Sequence, residues 1–132
     1  MEITVSQERG RMPVTVLHVD GNLDAATAPQ FQRRAEALIR QGDRNLLIDL
    51  AEVPYMSSAG LRALNALYDR LRTDAPGESH EAEVQGVRTG QFKSPHLKLL
   101  NPSRRVLEAL SMAGFDMFLD IYHELKQAVD SF

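Results

Sequence analysis

Two adjacent serines, Ser57 and Ser58, are the side chains whose type and position point most directly to chemistry. They follow the apolar run at residues 46–50 and precede a segment with helical periodicity, so the sequence predicts a strand, a short loop and a helix start. A helix start presents unpaired N–H groups and a partial positive charge. A serine there can cap the helix, or it can carry a phosphate whose charge the helix start tolerates.

The residues alone leave both roles open. Capping statistics favour the plain structural role, in which one serine caps the helix and Gly60 lets its first turn pack closely on the sheet. Phosphorylation would add about −1.5 to −2 charges at neutral pH. Its larger effect would fall on whatever protein docks at this point, with little change of fold.

Catalysis by either serine would need a base within hydrogen-bonding reach. None of the four histidines has a spacing that points to the serine pair, and the G-x-S-x-G pattern of a nucleophile elbow is missing. These histidines are His18, His80, His96 and His123. Metal-ligand spacings and phosphate-binding glycine loops are also missing. We therefore expect no catalytic residue, no metal and no cofactor, and a serine hydrolase is the least favoured function.

Composition narrows the remaining classes of function. The 132 residues predict one domain, and the absence of cysteine excludes disulfides and thiol catalysis. A net charge of −3 gives no support for direct nucleic-acid binding. No apolar run approaches the roughly 18 residues of a membrane span, and the first residues do not resemble a signal peptide. We expect a cytoplasmic protein that does not insert into a membrane.

Periodicity predicts the elements that would position the serines. Strands alternate with helices, which indicates an α/β fold with a mostly parallel sheet, made mixed by an opening hairpin. The predicted order is ββαβα(loop)βαβα, with about five strands and about four helices. The strands are predicted at residues 3–6, 14–19, 46–50, 96–100 and 118–122, and the helices at 25–40, 58–72, 104–113 and 123–129. In the last helix, Leu125 and Val129 are expected to face inward. Residues 73–95 are rich in Gly, Pro and Glu, which predicts a long loop or flexible insertion.

Three blocks of sequence resemble the STAS domain, the fold of anti-sigma factor antagonists. They are Gly-Asn-Leu-Asp-Ala-Ala-Thr-Ala-Pro at residues 21–29, Leu-Ile-Asp-Leu at 47–50 and Tyr-Met-Ser-Ser-Ala-Gly-Leu at 55–61. The region 107–129 also fits this family. The resemblance implies a single STAS domain over residues 1–132, with the insertion at 73–95 as a departure from the family.

The resemblance also implies a partner-switching role. In this family the unmodified domain binds an anti-sigma factor that is also a serine kinase, and this binding releases the sigma factor. The kinase then phosphorylates a serine in the loop, and a PP2C-type phosphatase resets the switch. The phosphoacceptor position of the family matches Ser58, with Ser57 as second choice. The implied partner-binding residues are Asp24, Met56, Ser57, Ser58, Ala59, Gly60 and Leu61, and residues 20–24 would lie nearby if the loops share one sheet edge.

The residues on either side of the acceptor depart from the family pattern, which leaves Ser57 open as a competing acceptor. The position before the acceptor is often aspartate but is Ser57 here, and the next position is often serine or threonine but is Ala59 here. Stand-alone STAS domains also serve as subunits of lipid-transport and stress-sensing complexes, which is the alternative function. The sequence does not indicate the oligomeric state.

Overall fold

The computed structural model describes residues 1–73 and 93–132. Its core is one five-stranded sheet in the order β1-β2-β3-β4-β5. β1 and β2 are antiparallel, whereas the other neighbours are parallel. The strands are β1 (Glu2–Arg9), β2 (Pro13–Asp20), β3 (Leu46–Glu52), β4 (Leu97–Leu100) and β5 (Ile121–Tyr122). The predicted mixed α/β sheet with an opening hairpin is therefore confirmed.

Four α-helices lie within the described residues, and they cover the two faces of the sheet unequally. They are α1 (Ala28–Arg40), α2 (Ser58–Thr73), α3 (Arg104–Met112) and α4 (Leu125–Asp130). The larger core cluster takes buried residues from α1, α2 and α3. The smaller cluster on the opposite face joins α4 to β2, β3 and β4. Farther along that second face, the side chain of His18 is partly exposed.

Helix α1 illustrates how the apolar period produces this packing. Phe31, Ala35, Leu38 and Ile39 recur along one face and are all buried, as the spacing predicts. Fully burying a side chain such as Phe31 stabilises the fold by roughly 1.5–3 kcal/mol. The first turn of α1 has no acidic side chain, and its N-cap residue Thr27 makes no side-chain capping bond. The packed stripe is therefore the interaction that holds α1 on the sheet.

Several predicted boundaries were wrong. α1 begins at Ala28, three residues late, because residues 25–27 form a turn that precedes the helix. β5 spans only Ile121–Tyr122, because Phe115–Met117 winds into a 3₁₀ turn after Gly114, whose φ of 82° suits glycine. Short apolar runs do not by themselves distinguish a strand from a tight turn.

The last helix differs from the prediction in its start and in one inward residue. It begins at Leu125, two residues late, and the Leu125 side chain is exposed whereas Val129 is buried. β1 and β2 are each longer than predicted, because the hairpin keeps its pairing from Glu2 opposite Asp20 to Arg9 opposite Pro13.

The expected insertion at residues 73–95 lies mostly outside the described residues. Helix α2 continues through Thr73, and the description resumes at Lys93. The Ser94 hydroxyl then accepts hydrogen bonds from the N–H groups of His96 and Leu97, at 3.2 and 3.1 Å, just before β4. In the two described segments, no helix has the length and apolar character needed to cross a membrane.

Candidate functional site

Two loops at the carboxyl edge of the sheet are hydrogen-bonded into one unit. The Leu23 N–H donates to the Tyr55 carbonyl at 3.0 Å, and the Ser57 N–H donates to the Leu23 carbonyl at 2.8 Å. Leu23 and Met56 form an isolated parallel bridge. The loop after β2 therefore lies beside the loop after β3, as expected if both leave one sheet edge.

The two serines of the second loop have different surroundings. The Ser57 hydroxyl accepts a hydrogen bond from the Ala59 N–H at 3.2 Å, and its carbonyl accepts one from the Leu61 N–H at 3.1 Å. Ser57 therefore caps α2. Ser58 is the first residue of α2 and is exposed, and its hydroxyl has no hydrogen bond to a described residue. The cap and the accessible hydroxyl thus belong to neighbouring residues.

Gly60 allows the first turn of α2 to touch the bridge between the loops. A Cβ added at Gly60 would lie 2.9 Å from the Leu23 carbonyl oxygen and 2.8 Å from Met56 Cγ. Gly60 is therefore needed for close packing against the Leu23–Met56 bridge, rather than against the sheet itself. Met56 is only 4% exposed, so its side chain supports the loop from below and offers little contact surface.

Asp24 stabilises the turn that leads into α1. Its Oδ1 accepts hydrogen bonds from the N–H groups of Ala26 and Thr27, at 3.0 and 3.2 Å. The Thr27 hydroxyl accepts from the Asp24 N–H at 3.0 Å and donates to the Asn22 carbonyl at 2.7 Å. Asp24 is half-buried, so its main structural role is to shape the loop that Ser57 contacts.

A groove between α1 and α2 leads away from the serine pair. Its volume is about 480 Å³, and Ala59 and Arg62 from α2 contribute to its wall beside the helix start. The remaining lining residues are Ala25, Ala28, Pro29, Gln32, Arg33, Glu36 and Ala63. Sequence reasoning missed this groove, although alanines spaced three or four positions apart in the two helical segments could have indicated a close approach.

Tyr55 connects the same edge to α3. The Arg105 guanidinium carbon lies 4.9 Å from the centroid of the Tyr55 ring, which is a cation–π contact. Tyr55 is 39% exposed, so the ring is open to solvent on its remaining surface. The candidate surface therefore combines Tyr55, Ser58, Ala59 and Leu61 with the supporting residues Met56 and Gly60.

Two of the histidines, His18 and His96, form side-chain hydrogen bonds away from the serine pair. His18 is bonded to Ser6 and Asp49, and His96 Nδ1 lies 3.2 Å from Asn45 Oδ1. His80 lies outside the described residues. In the described part of the chain, no hydrogen bond joins a histidine to Ser57 or Ser58, and no group of three or more potential metal ligands occurs.

Comparison with known sequences gives one family and a named relative. The profile of the STAS domain family matches residues 5–75. BtrV of Bordetella bronchiseptica, which carries the name anti-sigma factor antagonist, is 29% identical over 132 residues. The match covers 100% of this chain and 95% of BtrV, so the likeness includes the segment from 74 to 92.

Solved structures share the fold at lower identity. An anti-sigma factor antagonist from Mycobacterium paratuberculosis has a TM-score of 0.69 at 23% identity, covering 97% of this chain and 92% of its own. Unphosphorylated SpoIIAA has a TM-score of 0.68 at 18% identity, covering 96% of this chain and 94% of its own. The phosphorylated form of SpoIIAA, from Bacillus, has a TM-score of 0.61 at 18% identity, covering 96% of this chain and 97% of its own.

Proposed function

Because the chain belongs to the STAS domain family, we propose that it is an anti-sigma factor antagonist, controlled by phosphorylation at Ser58. It acts as an interaction module in the cytoplasm, not as an enzyme, and it carries no cofactor of its own. Its partners are an anti-sigma factor with serine kinase activity and a PP2C-type phosphatase. Binding to the unmodified domain releases the sigma factor and allows transcription, and residues 1–132 act as one domain.

The observation that carries this proposal is the exposed hydroxyl of Ser58. Ser57 already caps α2, so a kinase can modify Ser58 without removing the hydrogen bond that satisfies the helix start. Ser57 is half-buried and its hydroxyl is engaged, which makes it the poorer acceptor. Similarity to proteins named anti-sigma factor antagonists supports the choice of partner.

The proposed switch works through local electrostatics. Phosphate at Ser58 would bring about −1.5 to −2 charges to the first position of α2. The partial positive charge of the helix start tolerates this anion, so the fold stays intact. A partner surface that packs on Ala59 and Leu61 would then have to desolvate a dianion, which weakens the complex.

The first experiment locates the phosphate. The full chain is incubated with a candidate anti-sigma factor kinase from the host and ATP, and the modified peptide is mapped by mass spectrometry. We expect phosphate on Ser58, none in Ser58→Ala, and retained modification of Ser58 in the matched variant Ser57→Ala. Phosphate absent from both serines would contradict the switch.

The second experiment measures binding. Ser58→Asp should weaken binding to the anti-sigma factor. It should leave the melting temperature nearly unchanged, since Ser58 is exposed. Equal binding by wild type and Ser58→Asp would contradict an electrostatic switch. A transporter ATPase captured in place of a kinase would instead favour the lipid-transport role.

A further inference from the structure

A second group of polar side chains, separate from the serine pair, crosses the sheet. Ser6 on β1, His18 on β2 and Asp49 on β3 form a hydrogen-bonded row over three neighbouring strands. Ser6 Oγ lies 2.9 Å from His18 Nε2, and His18 Nδ1 lies 2.8 Å from Asp49 Oδ2. We call these three residues the polar row.

The strand register accounts for the polar row. His18 lies directly opposite Asp49 in the parallel β2–β3 pair, and Ser6 lies opposite Val16 in the β1–β2 hairpin. Ser6 and His18 are therefore diagonal neighbours on one face, close enough for side chains to meet. Val16 and Leu47, two residues before His18 and Asp49, are buried with α4, so the polar row begins where the cover of α4 ends.

The hydrogen bonds restrict the proton positions in the polar row. A carboxylate only accepts hydrogen bonds, so the Nδ1–H of His18 donates to Asp49. When the imidazole is neutral, Nε2 holds the free lone pair and accepts a hydrogen bond from the Ser6 hydroxyl. The Ala51 N–H donates to Asp49 Oδ1 at 3.1 Å, which fixes the carboxylate. This order of hydroxyl, imidazole and carboxylate is the arrangement that activates a serine nucleophile.

A reagent from solvent can reach the polar row. The side chain of His18 is 38% exposed and that of Asp49 is 20% exposed. Ser6 is half-buried on β1, which is the edge strand of the sheet. All three side chains are thus partly exposed, which suits small reagents.

We propose that Ser6 is a nucleophilic serine that accepts an acyl group from small activated esters. Ser6 Oγ forms a bond to the acyl carbon while the bond from that carbon to the leaving oxygen breaks. The hydroxyl proton passes to His18 Nε2 and then to the leaving oxygen. The products are O-acyl Ser6 and the free alcohol or phenol. This modification is independent of the proposed role of Ser58.

The test uses the full chain and p-nitrophenyl acetate. Acetyl-bearing peptides are mapped by mass spectrometry, and the release of p-nitrophenol is followed by absorbance. We expect acetylation of Ser6, loss of that label in Ser6→Ala, and at least a roughly ten-fold slower labelling in His18→Gln, since a positioned base contributes about 10²–10⁴-fold. Asp49→Asn should also slow labelling, because it disturbs the tautomer of His18.

Ser111→Ala is the matched control, because Ser111 is an exposed serine on α3 outside the polar row. It should label Ser6 at the wild-type rate. Circular dichroism checks the fold of each variant. The ratio of acetyl at Ser6 to acetyl at Ser111 within one wild-type sample gives a test that needs no variant, and we expect it to exceed ten-fold.

Three results would overturn the proposal. One is equal labelling of Ser6 and Ser111 in the wild-type chain. Another is a wild-type labelling rate in a folded His18→Gln variant. The last is an unchanged release of p-nitrophenol in Ser6→Ala, which would mean that His18 or an amine reacts directly with the ester.

Discussion

The hydroxyl of Ser57 satisfies a backbone N–H of α2, whereas the hydroxyl of Ser58 points to solvent. One position along the chain separates them, and the helix start gives each a different task. A cap must lie just before the first helical turn with its oxygen turned back to the backbone. The next residue, Ser58, is the first residue of the helix, and it is exposed.

The two serines should therefore differ in their effect on stability. Ser57→Ala should lower the free energy of unfolding by about 1 kcal/mol, because it removes a capping hydrogen bond. Ser58→Ala should change the free energy of unfolding by less than about 0.5 kcal/mol, because Ser58 is exposed and does not cap the helix. Urea unfolding measures both values. A larger loss for Ser58→Ala than for Ser57→Ala would contradict the division of roles.

Position 60 has no space for a side chain larger than that of glycine. Gly60→Ala gains about 1 kcal/mol of helix propensity but brings a methyl group against the Leu23 carbonyl, a contact that costs about 1–3 kcal/mol. Met56 can shift its flexible side chain, whereas the backbone of Leu23 cannot. We expect a net loss of stability of up to about 2 kcal/mol, measured by urea unfolding. A Gly60→Ala variant that is more stable than the wild type would contradict this argument, because it would mean that the Leu23 backbone can shift.

The loops at the carboxyl edge behave as one element because backbone hydrogen bonds join them. Asp24 shapes the first loop, and the first loop holds Ser57 through the Leu23 carbonyl. A substitution that distorts one loop should therefore also shift the backbone of the other loop. The groove between α1 and α2 begins at the same place, so the position of both helices depends on this edge.

A matched pair of substitutions tests that connection. Asp24 and Ser94 each accept hydrogen bonds from the N–H groups two and three residues later, but Ser94 lies before β4, at the opposite edge of the sheet. Asp24→Ala and Ser94→Ala should each lower stability by about 1–3 kcal/mol. Only Asp24→Ala should also weaken binding to the anti-sigma factor, measured by calorimetry. Equal loss of affinity in both variants would contradict a localised surface.

The free energy of unfolding should depend on pH because of Lys98, which is buried on the sheet face that α4 covers. Lys98 is buried there, with its ammonium 2.9 Å from the Ser131 carbonyl oxygen and 4.9 Å from the centroid of the Phe132 ring. Burial lowers the pKa of Lys98 below its ordinary value of 10.5, and the charge of Asp120 opposes this shift only in part. Folding therefore favours loss of the Lys98 proton.

The sign of the pH dependence follows from proton binding. Between the lowered pKa of folded Lys98 and 10.5, the unfolded chain binds more protons, so the free energy of unfolding rises with pH. Below that window both states are charged and the cost of burial stays in full. Lys98→Met should lack this rise, whereas the exposed Lys126→Met should keep it. Urea unfolding from neutral pH to about 10 checks the slopes. Equal slopes in both variants would contradict the burial argument.

Much of the fold was predictable because local patterns specify it. The alternation of strands and helices and the buried stripe of α1 are short-range features that the structure confirms. The errors fall where neighbours compete, as at the start of α1, where Asp24 holds a turn. Leu125 was expected inside because of its type, but the short α4 leaves it at the rim.

The sequence by itself determined the order of elements and the presence of two serines at the start of a helix. Only the tertiary structure decided which serine is the cap, why Gly60 is required and that Met56 is buried. It alone brought Ser6, His18 and Asp49 together, since Ser6 and His18 are 12 residues apart and His18 and Asp49 are 31 residues apart, and they meet only through sheet pairing. Periodicity is a property of neighbouring residues, whereas contact across strands depends on register, which the whole packed sheet specifies.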